Sequence, residues 1–461
     1  MCLCTKENPK IVVIIGATGT GKSKLAIDLC RRFDGEVVSA DSMQVYEGLD
    51  IVTCKVSRSD MAGVPHHLMS FLPPQTVGYT VVDFRNNALK AIDAILSRSK
   101  IPMIVGGTFY YVESLIWSNL ISADKAVLLE DDDYHSSPFY DDLPDGLLSM
   151  TDEQLHAELR AVDPERALHL HPNNRRRVVR SLQVWYSTHK THTQLLKEQH
   201  QTIGANGFGG APRFNQVCII WLQCEKSILD IRLRQRISSM VEQGLKNELT
   251  CFVDEHYPSF REKPKRLPKD CDRDSDESKG VFQCIGLKQF SDFLSLPVDQ
   301  RNSASGDAAF RKGLELLLVA TRQYAKRQLK WIKNRFVKRP LDDGFKLFAL
   351  DVTLDDNYEA AVLGPATEIV RSFLNGHPST IQPLRSKSDS DVYSYDEDAN
   401  RHRLCEVCDR LIANSQWQSH ILSRSHRKRT GKRCKQSTKC VAGDHEETDV
   451  HLRSCKSSSS T

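Results

Sequence analysis

The apolar run Ile11-Val-Val-Ile-Ile15 leads directly into Gly16-Ala17-Thr18-Gly19-Thr20-Gly21-Lys22-Ser23, and no other feature narrows the possible folds so far. Consecutive apolar residues predict a strand buried on both faces, as in the parallel sheets of α/β proteins. Leu25, Ala26 and Leu29 then give the inward stripe of a helix. G-x-x-x-x-G-K-[ST] between a strand and a helix is the phosphate-binding P-loop pattern. Its glycines let successive N–H groups converge on one anion, and the helix N-terminus adds its positive end. Gly16 to Gly21 form the cradle, Lys22 places a charge on the terminal phosphate, and Ser23 offers an oxygen to Mg²⁺. The predicted ligand is a di- or triphosphate, held by an α/β P-loop core with a parallel sheet.

With 461 residues, 40% hydrophobic and 26% charged, the chain has room for two or three ordinary globular domains. That composition excludes collagen, wholesale disorder and a disulfide scaffold. The longest apolar runs, Ile11–Ile15, Ile101–Val105 and Val217–Leu222, fall far short of the roughly 20 residues of a membrane helix, so a soluble chain with no membrane partner is expected. A formal charge of +4 is too small to indicate a polyanion partner by itself. The 14 Cys are scattered and no secretory segment opens the chain, which fits a reducing compartment. The few residues before Ile11 are too short a stretch for a transit peptide.

Residues 9–125 read as the first part of the core and 126–214 as a helical excursion. Residues 215–350 return to the core, 351–400 connect and end in an acidic linker, 401–432 form a small module and 433–461 a disordered tail. Thr151-Asp-Glu-Gln opens like a helix cap, and Gly204–Gly210 is rich in helix breakers. Residues 121–150 carry eight acids and one Lys, like an exposed insertion. After the strand Val217–Leu222 comes an amphipathic helix with Ile228, Ile231, Leu233, Ile237, Met240 and Val241. Residues 261–280 resemble a mobile loop, and Gly313–Phe336 a helix that turns basic in its second half.

A nucleotide hydrolase normally adds a strand ending in Asp that helps hold the metal. Here Ile101–Val105 ends in Gly106-Gly107-Thr108, without a carboxylate. The apolar strand that does end in Asp is Val37-Val-Ser-Ala-Asp41, followed by Ser42-Met43-Gln44. Asp41 then stands at the carboxyl end of a neighbouring strand, where open α/β sheets bind ligands. A single carboxylate suits a general base better than an ATPase apparatus, although a helix N-cap is the plain alternative and both roles are compatible. Thr108 fits either another loop of close backbone approach or a plain tight turn.

Together these segments closely resemble the tRNA dimethylallyltransferases, or tRNA isopentenyltransferases, of the eukaryotic type with a C-terminal zinc finger. The matching pieces are GATGTGKS, VSADSMQVYEGLDIVTCK, GVPHHL, YTVVDFR, PMIVGGTFYY, LHPNNRRRVVRSLQV, FQCIGLKQF and TRQYAKRQLKW, in order along most of the chain. The resemblance implies transfer of a five-carbon isoprenoid from dimethylallyl diphosphate to the exocyclic amine of the adenine just 3′ of the anticodon. The P-loop would then grip the diphosphate of a prenyl donor rather than ATP, with Mg²⁺ stabilising the leaving anion. Asp41 would accept a proton from the attacking amine or orient it. Asp41, Ser42, Met43, Gln44 and Thr108 would contact the target nucleotide, drawn out of its stack into a pocket. Arg232 and Arg236 would close onto the diphosphate, and Arg176, Arg177, Val178, Val179 and Arg180 match the segment that contacts the tRNA anticodon stem-loop. Ser23 stands where many members have Thr, with the same hydroxyl, while the acidic stretch 124–145 is poorly matched and should lie away from RNA.

Arg322–Arg339 has eight basic residues, no acid and the aromatics Tyr324, Trp331 and Phe336, which suits either an RNA surface or a helix with inward aromatics. Cys405-x₂-Cys408-x₁₁-His420-x₅-His426 has the ligand count and spacing of a Cys₂His₂ Zn²⁺ site. Residues 401–435 hold ten Lys/Arg against two acids, a phosphate grip or equally a nuclear-localisation patch. The resemblance implies the cytoplasm and mitochondrion, and nothing in the sequence points to a stable oligomer, so a monomer is expected. Two rival readings are a nucleotide-dependent kinase or ATPase and a non-catalytic RNA-binding zinc-finger protein.

Overall fold

Strand β1 (Lys10–Gly16) is buried at every residue from Ile11 to Gly16, and its two faces meet different cores. In this computed structural model the described residues are 8–118, 144, 146–201, 210–257, 280–340, 344–354, 357–384, 401–408 and 410–430. The expectations for 119–143, Gly204–Gly210 except Gly210 itself, 261–279, the linker 385–400 and the tail beyond 430 lie outside them. Ile11, Val13 and Ile15 pack with Phe84, Ile92, Val112, Leu115 and Phe336. Val12 and Ile14 pack with Leu25, Leu29, Ile369 and Val370. This two-sided burial follows from the period of two along a strand.

Around β1 stand β2 (Gly35–Ser39), β3 (His66–His67), β4 (Ile101–Val105), β5 (Gln216–Gln223) and β6 (Phe345–Asp351). All pair in parallel in the order β3-β2-β4-β1-β5-β6. Parallel neighbours require crossovers, which α1 (Lys22–Phe33), α2 (Val81–Ser97) and α3 (Phe109–Ile116) supply on the two faces. Thr80 and Asp83 form a capping box at the start of α2. The loops after β1, β2 and β4 thereby share the carboxyl edge of the sheet.

Two compact units are present: residues 1–142 with 194–395, and residues 143–193 with 396–461. Residues 143–193, inside the stretch read as a helical excursion, share the smaller unit with the C-terminal residues. That second unit holds α4 (Asp152–Val162), α5 (Pro164–His169) and α6 (Arg175–Thr188), and it contains the start of α7 (His192–His200). Thr151 and Gln154 form the expected cap of α4. Leu155, Leu159, Val178, Val179 and Leu182 make its small core.

In the first unit, α8 (Lys226–Glu242) buries Leu229, Leu233, Ile237 and Met240 and is followed by α9 (Leu245–His256). Ile231 and Val241, expected inward, are 49% and 40% exposed, because the buried stripe runs through Leu229 and Leu233 instead. The predicted helix at 313–336 starts earlier, as α10 (Ala304–Trp331), since Ser303 accepts the Gly306 N–H as its cap. It passes into a π-helical turn over Ile332–Val337. Among the described residues the last helix of this unit is α11 (Gly364–Asn375).

Gly106 shows how closely the loops are fitted. A Cβ there would lie 2.1 Å from the Ala40 carbonyl oxygen. Gly106→Ala is therefore predicted to cost about 1–3 kcal/mol in urea unfolding, and a loss below about 0.5 kcal/mol would show that the two loops yield to each other.

Candidate active site and candidate metal centre

The cradle is built at the turn from β1 into α1. Gly19 and Gly21 have φ of 86° and 82°, the left-handed conformation that side chains resist. Thr20 turns its hydroxyl back onto the Ala17 carbonyl (2.8 Å), which fixes the loop, and Lys22 Nζ donates to the same oxygen (2.8 Å). Arg236, on α8, donates to Thr18 Oγ1 (3.1 Å) and to the Cys54 sulfur. Burial, with the Arg236 charge second, lowers the Lys22 pKa to about 7, and Asp41 opposes that shift. Arg232 donates to the Cys224 sulfur (3.6 Å) and the Thr353 carbonyl (3.5 Å). It lines a cavity of about 140 Å³ with Gly19, Thr20, Gly21, Lys24 and Tyr358.

The loop after β2 faces this cradle. Asp41 Oδ1 accepts the Met43 N–H (2.9 Å), so the carboxylate does cap the turn that follows, with its other oxygen outside that bond. Thr108 Oγ1 accepts the Ser42 N–H (3.0 Å) and donates to Ser42 Oγ (3.2 Å). The Thr108 N–H donates to the Ala40 carbonyl (3.1 Å). Thr108 is thus the tie between the β2 and β4 loops and more than a plain turn residue. Gln44 accepts from Ser39 Oγ and donates to the Thr53 and Cys54 carbonyls, and Met43 packs against the core below.

Some residues that hold this loop were not foreseen. Lys55 Nζ donates to the Tyr46 and Gly48 carbonyls, with its side chain only 4% exposed. Glu248, from α9, accepts the Ile51 and Val52 N–H groups at 2.6 and 2.9 Å. Burial raises its pKa while those two bonds oppose the rise. Lys55 closes the quoted motif, where it is the one basic residue beside three acids. Glu248 carries no local signal at all.

The basic stretch 322–339 is divided in its roles. Phe336 is fully buried, Tyr324 OH donates to the Gly107 carbonyl (3.2 Å), and Trp331 donates its indole N–H to Glu113. Arg322 pairs with Asp230, Arg335 with Glu113, and Arg339 is buried beneath the Trp117 ring. Phe336 and Tyr324 thus pack inward and Arg322 and Arg335 are internally paired, while Trp331 stays 38% exposed. Lys326, Arg327, Lys330 and Lys333 are exposed.

In the second unit, Arg176 and Arg177 are exposed on α6, while Arg180 is half-buried and donates to Gln183. Val178 and Val179 are 0% and 8% exposed. Their side chains pack into the small core of that unit. The C-terminal module is a hairpin of β7 (His402–Cys405) and β8 (Arg410–Ala413) followed by α12 (Asn414–Ile421). Ligand atoms of Cys405, Cys408, His420 and His426 all lie within 4.8 Å of one another. His426 Nδ1 stands 3.5 and 3.4 Å from the two sulfurs and 3.2 Å from His420 Nε2. A tetrahedron with bonds of about 2.0–2.3 Å has edges of about this size, so the set fits Zn²⁺. His402 also lies against the His171 ring (5.8 Å) and 3.4 Å from the Leu168 carbonyl, which joins the module to the helices of its unit.

Two predictions follow from these geometries. An anion over Lys22 favours its charged form, so diphosphate binding above pH 7 should take up a proton and weaken by up to about tenfold per pH unit. Calorimetry in buffers of different ionisation heat should show this uptake in the wild type and not in Lys22→Arg, and equal uptake in both would refute it. Removing Zn²⁺ with a chelator should unfold the hairpin, because such sites supply folding energy directly. Unchanged protease resistance of residues 401–430 after chelation would contradict that.

The model of the IPP transferase family matches residues 44–335 and that of isopentenyl transferases residues 9–70. A human tRNA dimethylallyltransferase is 40% identical, covering 92% of this chain and 86% of its own length. The mouse protein of that name is 39% identical over 90% and 85%. A solved structure of a eukaryotic dimethylallyltransferase acting on tRNA superposes with a TM-score of 0.73 at 27% identity, covering 94% of this chain and 99% of that one. Matched over more than half its length by the family model and over at least 90% of it by these relatives, the chain belongs to the IPP transferase family.

Proposed function

We propose that this chain transfers a dimethylallyl group from dimethylallyl diphosphate to the exocyclic amine of the adenosine 3′-adjacent to the tRNA anticodon, releasing diphosphate. The observation that carries this reading is the pairing of a phosphate cradle with one carboxylate, Asp41, tied through Ser42 and Thr108 to a β4 loop that has no metal-holding acid. In the reaction the allylic carbon–oxygen bond breaks, a carbon–nitrogen bond forms, and the amine gives up a proton. Asp41 accepts or orients that proton. Lys22, Arg236 and the loop N–H groups receive the charge that develops on the departing diphosphate.

Ser23, at the start of α1, offers the hard oxygen donor that suits Mg²⁺ shared with a diphosphate. That ion would supply charge neutralisation on the leaving group. Arg232 completes the cationic side of the loop. Ser42, Met43 and Gln44 shape the edge that meets the target base, and Arg176, Arg177 and Arg180 grip tRNA phosphates. The basic residues of the finger, such as Arg424 and Arg427, are a second phosphate grip. A monomer working in cytoplasm and mitochondrion goes with this reading.

The protein, Mg²⁺, labelled dimethylallyl diphosphate and unmodified tRNA should yield labelled RNA. Asp41→Asn should lower kcat by about 10²–10⁴-fold with little change in tRNA affinity. Label-free RNA accompanied by steady nucleotide hydrolysis would replace the reading with an ATPase or kinase.

A further inference from the structure

Gln328 joins two loops that the chemistry above assigns to different substrates. It lies on α10, far along the sequence from both, with 4% of its surface exposed. Its Oε1 accepts the Thr18 N–H of the phosphate cradle (2.8 Å), and its Nε2 donates to the Gly107 carbonyl (3.0 Å). A peptide N–H requires an acceptor and a carbonyl requires a donor, so both ends of the amide are fixed in orientation. Gly107 leaves space for it: a Cβ there would sit 2.3 Å from Gln328 Nε2. Beyond Gly107 the connection continues, because Thr108 holds the Ser42 N–H and Ser42 follows Asp41.

We propose that Gln328 is a positioning residue that sets the spacing between the donor cradle and the acceptor loop carrying Thr108 and Asp41. The proposal rests on the transferase reading and adds to it how two loops on separate strands are brought into register. Gln328 spends its amide on Thr18 and Gly107, so its contribution is alignment. Displacing a reacting centre by about 1 Å costs on the order of 10²-fold in rate. The Thr18 N–H, bound to this amide, is also withdrawn from the phosphate-facing set, as is the Thr20 N–H, which donates to the Ala17 carbonyl (3.4 Å).

The test compares wild type, Gln328→Leu and Gln328→Glu in single-turnover transfer of labelled dimethylallyl groups to tRNA between pH 6 and 8, both substrates saturating. Binding of Mg²⁺-diphosphate and of tRNA is measured separately. Wild type is scored first: no labelled RNA sinks the transferase reading and this role with it. Given transfer, Gln328→Leu should lose about 10–100-fold at every pH, while each binding constant stays within about threefold. A glutamate keeps the acceptor for Thr18 but turns a carboxylate oxygen toward the Gly107 carbonyl. Once protonated, it again presents a donor there. The rate of Gln328→Glu relative to wild type should therefore be as low as that of Gln328→Leu at pH 8 and recover severalfold or more at pH 6. A merely packing role would not produce that pH-dependent rescue. Parallel profiles for the two variants, wild-type rates in both, or a loss confined to either binding constant would overturn the proposal.

Discussion

Burial of β1 on both of its faces is the constraint from which the rest follows. A strand with no solvent face must be central, and a central parallel strand must have helical crossovers above and below it. Those crossovers return every strand in the same sense, so the loops leaving β1, β2 and β4 emerge at one edge. The phosphate cradle, Asp41 and Thr108 are neighbours because Ile11 to Ile15 are apolar, although none of these residues touches that run for its chemistry. Gly106 and Gly107 then allow backbone to approach backbone where side chains would force the loops apart.

The electrostatics of the site depend on the same closeness. Lys22 is half-buried beside Arg236, so two cationic groups share a partly desolvated pocket with Asp41 as their nearby opposite charge. An arrangement of this kind is strained until an anion joins it, which is a physical basis for selecting a highly charged ligand over a neutral one. The surrounding acids are engaged elsewhere: Glu248 with backbone N–H groups, Glu113 with Arg335 and Asp230 with Arg322.

Much of this was legible before any coordinates. The P-loop, the Asp41 loop and the Cys405–His426 spacing are local signals, in which chemistry and neighbours are contiguous along the chain. The sheet followed from them through the apolar runs at 101–105 and 217–222, now β4 and β5. What could not be read is what comes from far away in the sequence. Gln328 meets Thr18 across 310 residues and Glu248 meets Val52 across 196, and an isolated polar residue on a helix carries no mark of its distant partner. The stretch 322–339 stayed open between two readings for a similar reason: Asp230 and Glu113, the partners of Arg322 and Arg335, lie outside that window. Val178 and Val179, named with the arginines beside them, belong to the core because a helix turns its successive residues to different sides.

The grouping of residues 143–193 with 396–461 has a consequence for biosynthesis. A ribosome delivers α4, α5 and α6 long before it reaches His402, so the smaller unit is completed only after residues 194–395 of the larger one have been made between its two halves. Until then the first half of that unit lacks its hairpin.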